Sequence, residues 1–383
     1  MEWNMKSLKN PVRRSVLLSV LAATTLLGGC HNLVKEDVAE ANVHEYLLTV
    51  TRPNQLQVID TETNQVSRSC DVPGYFGSGS IAMSPDNRIA YVLSNKWEDV
   101  YGFDITNCEM VFSARQSTSE ETVKTFFSLA VSPDGKELYT IQNPVRVMDD
   151  RYEVEQPRLA VFDTTAGMDA QPLRTWPVDR RITKIAALES GEVLLGGGDL
   201  KTIDPNSGQL RTVSKLQNWE RGPQWLTPDA FAVSSQGEHV GEFIMPYVTA
   251  NFKDESMNFE TADWWWGMSR VDLASGEVEQ RETVPFQFIV FAWVSDPHNP
   301  DILYGAFNTL SKHDIKAQET LAVTDLDHTY YTINMKSDGS RIYIGGTSSD
   351  ISVHDPETLE KTGSIQLPGD MSTADMRLAR LQE

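Results

Sequence analysis

Seven times along the chain an apolar run ends in an aspartate and passes at once into turn residues. The copies are LQVIDTETNQ (Asp60), VYGFDITNCE (Asp104), LAVFDTTAGM (Asp163), LKTIDPNSGQ (Asp204), MSRVDLASGE (Asp272), LSKHDIKAQE (Asp314) and ISVHDPETLE (Asp355). Successive aspartates stand 44, 59, 41, 68, 42 and 41 residues apart, a clustering near the length of one four-stranded propeller blade. A second phrase recurs as LAVSPDGKELYTIQN (Leu129 to Asn143), IAMSPDNRIAYVLSN (Ile81 to Asn95) and INMKSDGSRIYIGG (Ile333 to Gly346). In each, a short buried strand meets a turn and an alternating strand follows; in the first copy Pro and Gly stand in that turn where their backbone angles suit it. The strand that ends at the Asp is the third, with a carboxylate able to accept from amides of the next turn. A more polar fourth strand completes the unit.

One such sheet cannot bury both faces alone, whereas seven arranged radially bury each against its neighbours. The expected fold is therefore all-β, a seven-bladed β-propeller of four-stranded blades. HEYLLTVTR and LQVID supply strands two and three of a blade that lacks its first strand, and ADMRLARLQE at the other end supplies the missing innermost strand. N- and C-terminal strands would share one blade and lock the ring. A β-sandwich with similar turns gives no reason for the spacing. With 40% hydrophobic and 23% charged residues, the composition suits one large packed domain over residues 43–383.

The first residues are read separately. Lys6, Lys9, Arg13 and Arg14 precede a short apolar run, Ser15 to Leu27, and then Leu27-Gly28-Gly29-Cys30. The run is too short for a membrane span and fits a signal-peptide core. The residues before Cys30 resemble a lipobox, so 1–29 are expected to be a lipoprotein signal, Cys30 the lipidated residue and 30–42 a tether. The expected location is the periplasm, anchored to a membrane through lipid, with His31 after the cysteine favouring the outer membrane. Loss of the leader removes those four basic residues and Glu2, taking the net charge from −21 to −24. Nucleic acid and anionic membrane surfaces are poor partners for such a chain, and a basic partner would be steered towards it. An oxidising compartment permits a disulfide between Cys70 and Cys108. Cys-x-x-Cys-His, His-Glu-x-x-His, a phosphate-binding Walker loop and Gly-x-Ser-x-Gly are all missing from the sequence. No catalytic residue, metal or cofactor is expected on this chain.

In a blade of this order the SPDG turns and the turns after each Asp share one face of the disc. The connections into strand one and those between strands two and three share the other. The two long spacings both lengthen this second set, through NPVRVMDDRYEVEQPR (Asn143 to Arg158) and the stretch from Tyr247 to Gly267 that contains Trp264, Trp265 and Trp266. Aromatic residues gather on the same face: Phe126 and Phe127, Phe286 and Phe288, and Tyr330 and Tyr331, with His328 beside the last pair. Exposed aromatic clusters mark interfaces and apolar pockets, so these ten residues are the candidates for a substrate pocket or subunit interface.

NPVR followed by YEVEQPR, together with HTYYTINMKSDGSRIYIGG and DPETLEKTGSIQLPG, resembles the β subunit of quinohemoprotein amine dehydrogenase, from about Glu45 to the C-terminus. The SPDG and Asp-turn phrases are shared more widely, including with the heavy subunit of methylamine dehydrogenase. The resemblance implies a periplasmic complex with a di-haem cytochrome c subunit and a small subunit bearing cysteine tryptophylquinone. Such a complex oxidises a primary amine to aldehyde and ammonia and passes electrons through haem c to an external periplasmic acceptor. Quinone and catalytic base belong to the small subunit; the propeller is expected to hold that subunit and complete the wall of the amine pocket. Cys30 is a departure, because the family's propeller subunit is soluble. A lipid-anchored propeller acting as a binding or assembly scaffold, without redox activity, is the alternative reading.

Overall fold

The computed structural model describes residues 43–77, 79–230 and 240–382. The signal segment, the tether and Cys30 lie outside the described residues. Seven antiparallel sheets follow one another around a ring. Blade 1 takes Met376–Gln382 as its innermost strand and then Val43–Thr51, Gln55–Asp60 and Gln65–Asp71. Blade 2 comprises Ile81–Met83, Ile89–Ser94, Asp99–Asp104 and Glu109–Arg115. Blade 3 has Leu129–Val131, Glu137–Val147, Arg158–Asp163 and Arg174–Pro177. Blade 4 has Lys184–Ala187, Val193–Gly196, Leu200–Ile203 and Leu210–Ser214. Blade 5 has Asp229–Ala230, Glu242–Asn251, Asp263–Asp272 and Val278–Pro285. Blade 6 has Ala292–Asp296, Asn299–Ala306, Thr309–Asp314 and Glu319–Asp325, and blade 7 Thr332–Met335, Ile342–Gly345, Asp350–His354 and Lys361–Gln366. The fold is the expected seven-bladed propeller, and its ring closes where expected, in register from Val43 opposite Gln382 to Thr49 opposite Met376.

The repeated phrases adopt repeated geometry. Asn87, Gly135 and Gly339 occupy the same turn position with φ of 59°, 72° and 71°, and donate to Ser84, Ser132 and Lys336 carbonyls at 2.8, 2.9 and 2.8 Å. This left-handed position is why the phrase reads Asp-Gly or Asp-Asn. Each repeat Asp accepts from an amide of its own turn, as from Glu62 at 2.7 Å to Asp60, Asn206 at 2.8 Å to Asp204 and Thr358 at 2.8 Å to Asp355. Asp104, Asp163, Asp272 and Asp314 do the same with Thr106, Thr165, Ser275 and Lys316. The Thr165 hydroxyl and amide hold the Asp163 carboxyl below its usual range.

The core lies between blades. Tyr91 and Phe112 of blade 2 meet Leu138 and Phe162 of blade 3, while Tyr139 and Val161 on the other face of blade 3 meet Ile185 and Leu195 of blade 4. Burying each such side chain contributes roughly 1.5–3 kcal/mol, and alternation along the strand lets one blade serve both neighbours. Gly267 is fixed by this packing, since a Cβ there would stand 2.2 Å from the Tyr247 ring. Cys70 of blade 1 and Cys108, in the turn after Asp104 of blade 2, are joined by a disulfide, which ties the closing blade to its neighbour.

Two features differ from the sequence reading. NPVRV is not loop but the outer half of the strand Glu137–Val147, which pairs on one side with Tyr152–Val154 and on the other with Glu121–Lys124. Blade 3 thereby becomes a six-stranded sheet with a three-stranded finger beyond the ring. The tryptophan run is likewise strand, paired from Gly267 opposite Tyr247 to Asp263 opposite Asn251. In both places the chain continues a ladder because each extra residue satisfies another backbone donor and acceptor.

Candidate functional site

The connections leading into the innermost strands converge on the axis of the ring. Phe127 from blade 3, Phe291 from blade 6 and Tyr331 from blade 7 surround a cavity of 300 Å³ that also touches Thr373 and Asp375 of the closing blade. Phe291 and Tyr331 meet edge to face with centroids 4.7 Å apart, and Phe307 stacks on Phe291 at 5.8 Å. Phe127 reaches the mouth from a left-handed backbone, φ 53°, a conformation uncommon for a bulky side chain and found where the surroundings fix it. Phe126 turns away, 41% exposed, with its ring 5.5 Å from that of Trp97.

Beneath the rings the axis is crossed by ions. Lys184 Nζ of blade 4 lies 2.8 and 3.2 Å from the two oxygens of Asp375, which leads into blade 1. Both groups are buried, at 3% and 4% exposure. The Arg377 guanidinium stands 3.4 Å from Asp375 and donates from Nε to the Ile81 carbonyl at 3.0 Å. Lys184 Nζ is also 5.6 Å from the Phe127 ring centroid, so the cation faces the floor of the aromatic cavity. Asp375 lines this upper cavity, and Arg377 lines a second one of 460 Å³ among the SPDG turns on the other face. The ion cluster is thus the septum between two axial chambers, one aromatic and one lined by residues of the inner strands and their turns.

The ten candidates do not form one pocket. Only Phe127 and Tyr331 line the axial cavity. Tyr330 is corrected from a face residue to a core residue: it is 0% exposed, packed between blades 6 and 7. Its hydroxyl donates to Asp350 Oδ2 at 3.1 Å, and burial together with that carboxylate pushes its pKa up. His328 stacks on Tyr330 at 4.0 Å, with Nε2 3.1 Å from Asp350 Oδ1 and Nδ1 3.0 Å from the Thr329 carbonyl. The imidazole is held as a structural partner of the loop.

Trp264, Trp266, Phe286 and Phe288 belong to a separate aromatic wall on blades 5 and 6. It runs from exposed Phe259 through Trp264 (5.9 Å) and Phe286 (6.5 Å) to Trp266 (5.3 Å) and buried Trp293 (5.6 Å). Trp264 Nε1 donates to the Phe259 carbonyl at 3.1 Å and Trp266 Nε1 to the Phe288 carbonyl at 3.0 Å. Trp266 is 6% exposed and so is core, contrary to its reading as a surface residue. Strand alternation turns half-buried Trp265 to the opposite side of the sheet. Phe288 lies 6.1 Å from His313, whose pKa is lowered to about 4 by burial.

The sequence reading passed over five contributors. Phe307 joins the axial aromatics from a connection between strands two and three. Arg221 lies 4.0 Å over Trp219 and 5.3 Å from Trp225, and pairs with Glu282 at 2.6 Å; its signal was NWERGPQW on the way into blade 5. Lys184, Asp375 and Arg377 gave no local signal, since the first two stand 191 positions apart.

The fold and the axial mouth define a seven-bladed propeller with an aromatic-rimmed chamber on one face. No family model matches the chain, and no curated protein matches it in sequence. Among solved structures it is similar to a functionally unknown protein from Desulfotomaculum acetoxidans, with TM-score 0.57 and 11% identity over 88% of this chain and 99% of that one. It is also similar to Kuenenia stuttgartiensis hydrazine synthase, with TM-score 0.52 and 12% identity over 80% of this chain and 90% of that one. At these identities the likeness establishes the fold.

Proposed function

We propose that this chain is the propeller subunit of a quinohemoprotein amine dehydrogenase, carrying no catalytic residue or cofactor of its own. The observation that carries the reading is the convergence of Phe127, Phe291 and Tyr331, from three different blades, on one apolar axial chamber. An apolar wall of this kind suits the hydrocarbon part of a primary amine. The sequence resemblance through NPVR and YEVEQPR supports the same reading, and those residues belong to the finger beside the chamber.

In this reading the small subunit covers the mouth. Its cysteine tryptophylquinone supplies the oxidation of the amine to aldehyde and ammonia, and the haem c groups of the di-haem subunit carry the electrons to a periplasmic acceptor. The propeller's own part is to hold the small subunit, to line one side of the amine pocket with Phe127, Phe291 and Tyr331, and to exclude water from it. The net charge, −21 for the full chain and −24 without the leader, favours partners with basic surfaces. The complex would sit in the periplasm, tethered through Cys30, with the outer membrane favoured. That lipobox is also the observation that favours the second reading, a lipid-anchored scaffold without a redox partner.

The test is affinity purification of the tagged chain in mild detergent from its native host grown on a primary amine, with haem and quinone staining of the bands that accompany it. A haem-positive band and a small quinone-positive band, with amine-dependent dye reduction, are expected. A colourless propeller purified alone would overturn the proposal in favour of the scaffold.

A further inference from the structure

The finger on blade 3 contributes nothing to closing the ring, yet it holds an ordered apolar face. Val147 pairs with Tyr152 and Val145 with Val154, so all four side chains share one side of the ladder. Val147, Tyr152 and Val154 are 55%, 74% and 61% exposed, and Met148 at the tip is 37% exposed. Three exposed large apolar residues on two paired strands, with Met148 in the turn between them, exceed the scattered singles normal for a surface. The opposite side of the same ladder is charged and internally satisfied: Arg146 reaches Glu153 at 3.3 Å and Glu155 at 3.1 Å. Arg151 at the tip pairs with Asp150 at 3.1 Å. Both arginines between 145 and 155 are therefore engaged, against the four carboxylates of Asp149, Asp150, Glu153 and Glu155.

The finger is also continuous with the axial mouth. Its third strand, Glu121–Lys124, leads directly to exposed Phe126 and to Phe127 on the chamber wall. Arg158, paired with Glu121 at 2.6 Å, and Lys124, paired with Glu98 at 2.5 Å, brace its base against blades 2 and 3. A body covering the mouth on this side would meet the finger next.

We propose that this finger is the docking arm for the small quinone-bearing subunit: its Val145, Val147, Tyr152 and Val154 face takes an apolar patch on that subunit, bordered by lysine or arginine residues that meet the acidic tip. This inference rests on the reading given under the proposed function. The apolar face supplies the buried anchor and the tip carboxylates steer the encounter, a division that separates dissociation from association.

The experiment uses the full tagged chain expressed in the native host and purified with whatever complex it forms. Tyr152→Ser combined with Val154→Ser alters only exposed positions and should leave the urea midpoint of the propeller unchanged, which is measured alongside. The quinone-stained band retained through washing should fall about tenfold or more. Asp149→Asn combined with Asp150→Asn should slow reassociation of the separated small subunit at low salt, with the difference from wild type vanishing at high salt. Retention equal to wild type in the Tyr152 and Val154 variant, at equal stability, overturns the docking arm. If that result is accompanied by loss of the band from Phe127→Ala, the amine dehydrogenase reading stands without it. A wild-type chain that brings down no quinone-stained band overturns both.

Discussion

The two faces of the disc are built from the same seven repeats and use their side chains in opposite ways. On the turn face every repeat Asp carboxylate accepts from its own turn, and the Cys70–Cys108 disulfide ties two blades together. On the other face Phe126, Phe259, Tyr152 and Val154 stay more than two-fifths exposed, and Phe127 is held in a left-handed conformation. Satisfied local polar groups make a repeat that can be copied; exposed apolar groups on a rigid frame make a surface that can bind. Under the proposed function the difference gives stability to one face and recognition to the other, with the axial ions between them.

The largest effect is expected where the faces meet. Lys184→Met leaves the buried Asp375 carboxylate with one cation fewer and should cost about 3–5 kcal/mol, read from urea unfolding. An unchanged midpoint would mean the axis supports neither face. On the turn face, replacing Cys70 and Cys108 together by Ser opens a 38-residue link and should cost ~4 kcal/mol, with partner retention unaltered. Loss of the partner at equal stability would break the division of labour.

Acid should loosen the aromatic wall. Burial lowers the pKa of His313 to about 4 in the folded chain, below the unfolded value near 6.5, so folding favours the neutral ring. Its contribution is fully present above about pH 6.5 and is lost as pH falls towards 4, about 3 kcal/mol in all. His313→Gln should flatten that part of a stability-against-pH curve, and an unchanged curve would remove His313 as the cause. Asp104→Ala, which deprives Thr106 of its acceptor and Arg88 of its ion pair, should cost about 1–2 kcal/mol with no change in binding. Phe126→Ser is the converse and the smallest in stability, about 1 kcal/mol, because the ring is already 41% exposed. It should nonetheless weaken partner retention; a variant that binds normally would confine the interface to the finger and the chamber.

Much of the fold was legible because its signals are local. The left-handed turn positions at Asn87, Gly135 and Gly339 appear in the sequence as Asp-Asn or Asp-Gly, and each turn Asp stands within three residues of the amide it caps. The candidate face was legible as an enrichment in aromatics, but not residue by residue. Tyr330 and Tyr331 are neighbours in sequence, yet one is buried between blades and the other lines the chamber, because successive residues leading into a strand point to opposite sides. Trp264 and Trp266 were separated from Trp265 for the same reason. The finger looked like a loop because Pro144, Asp149 and Asp150 are poor strand residues, and the pairing partner that extends the ladder, Glu121–Lys124, comes from the preceding connection.

By itself the sequence determined the repeat, its number and the turn chemistry, which depend on periodicity within about forty residues, and the closure of the ring, which follows from the partial blades near Val43 and Met376 completing each other. Only the tertiary structure decided the site. A ring brings together side chains from blades that are not neighbours in sequence, so Lys184 meets Asp375, and Phe127 joins Phe291 and Tyr331, at a point that no local period encodes.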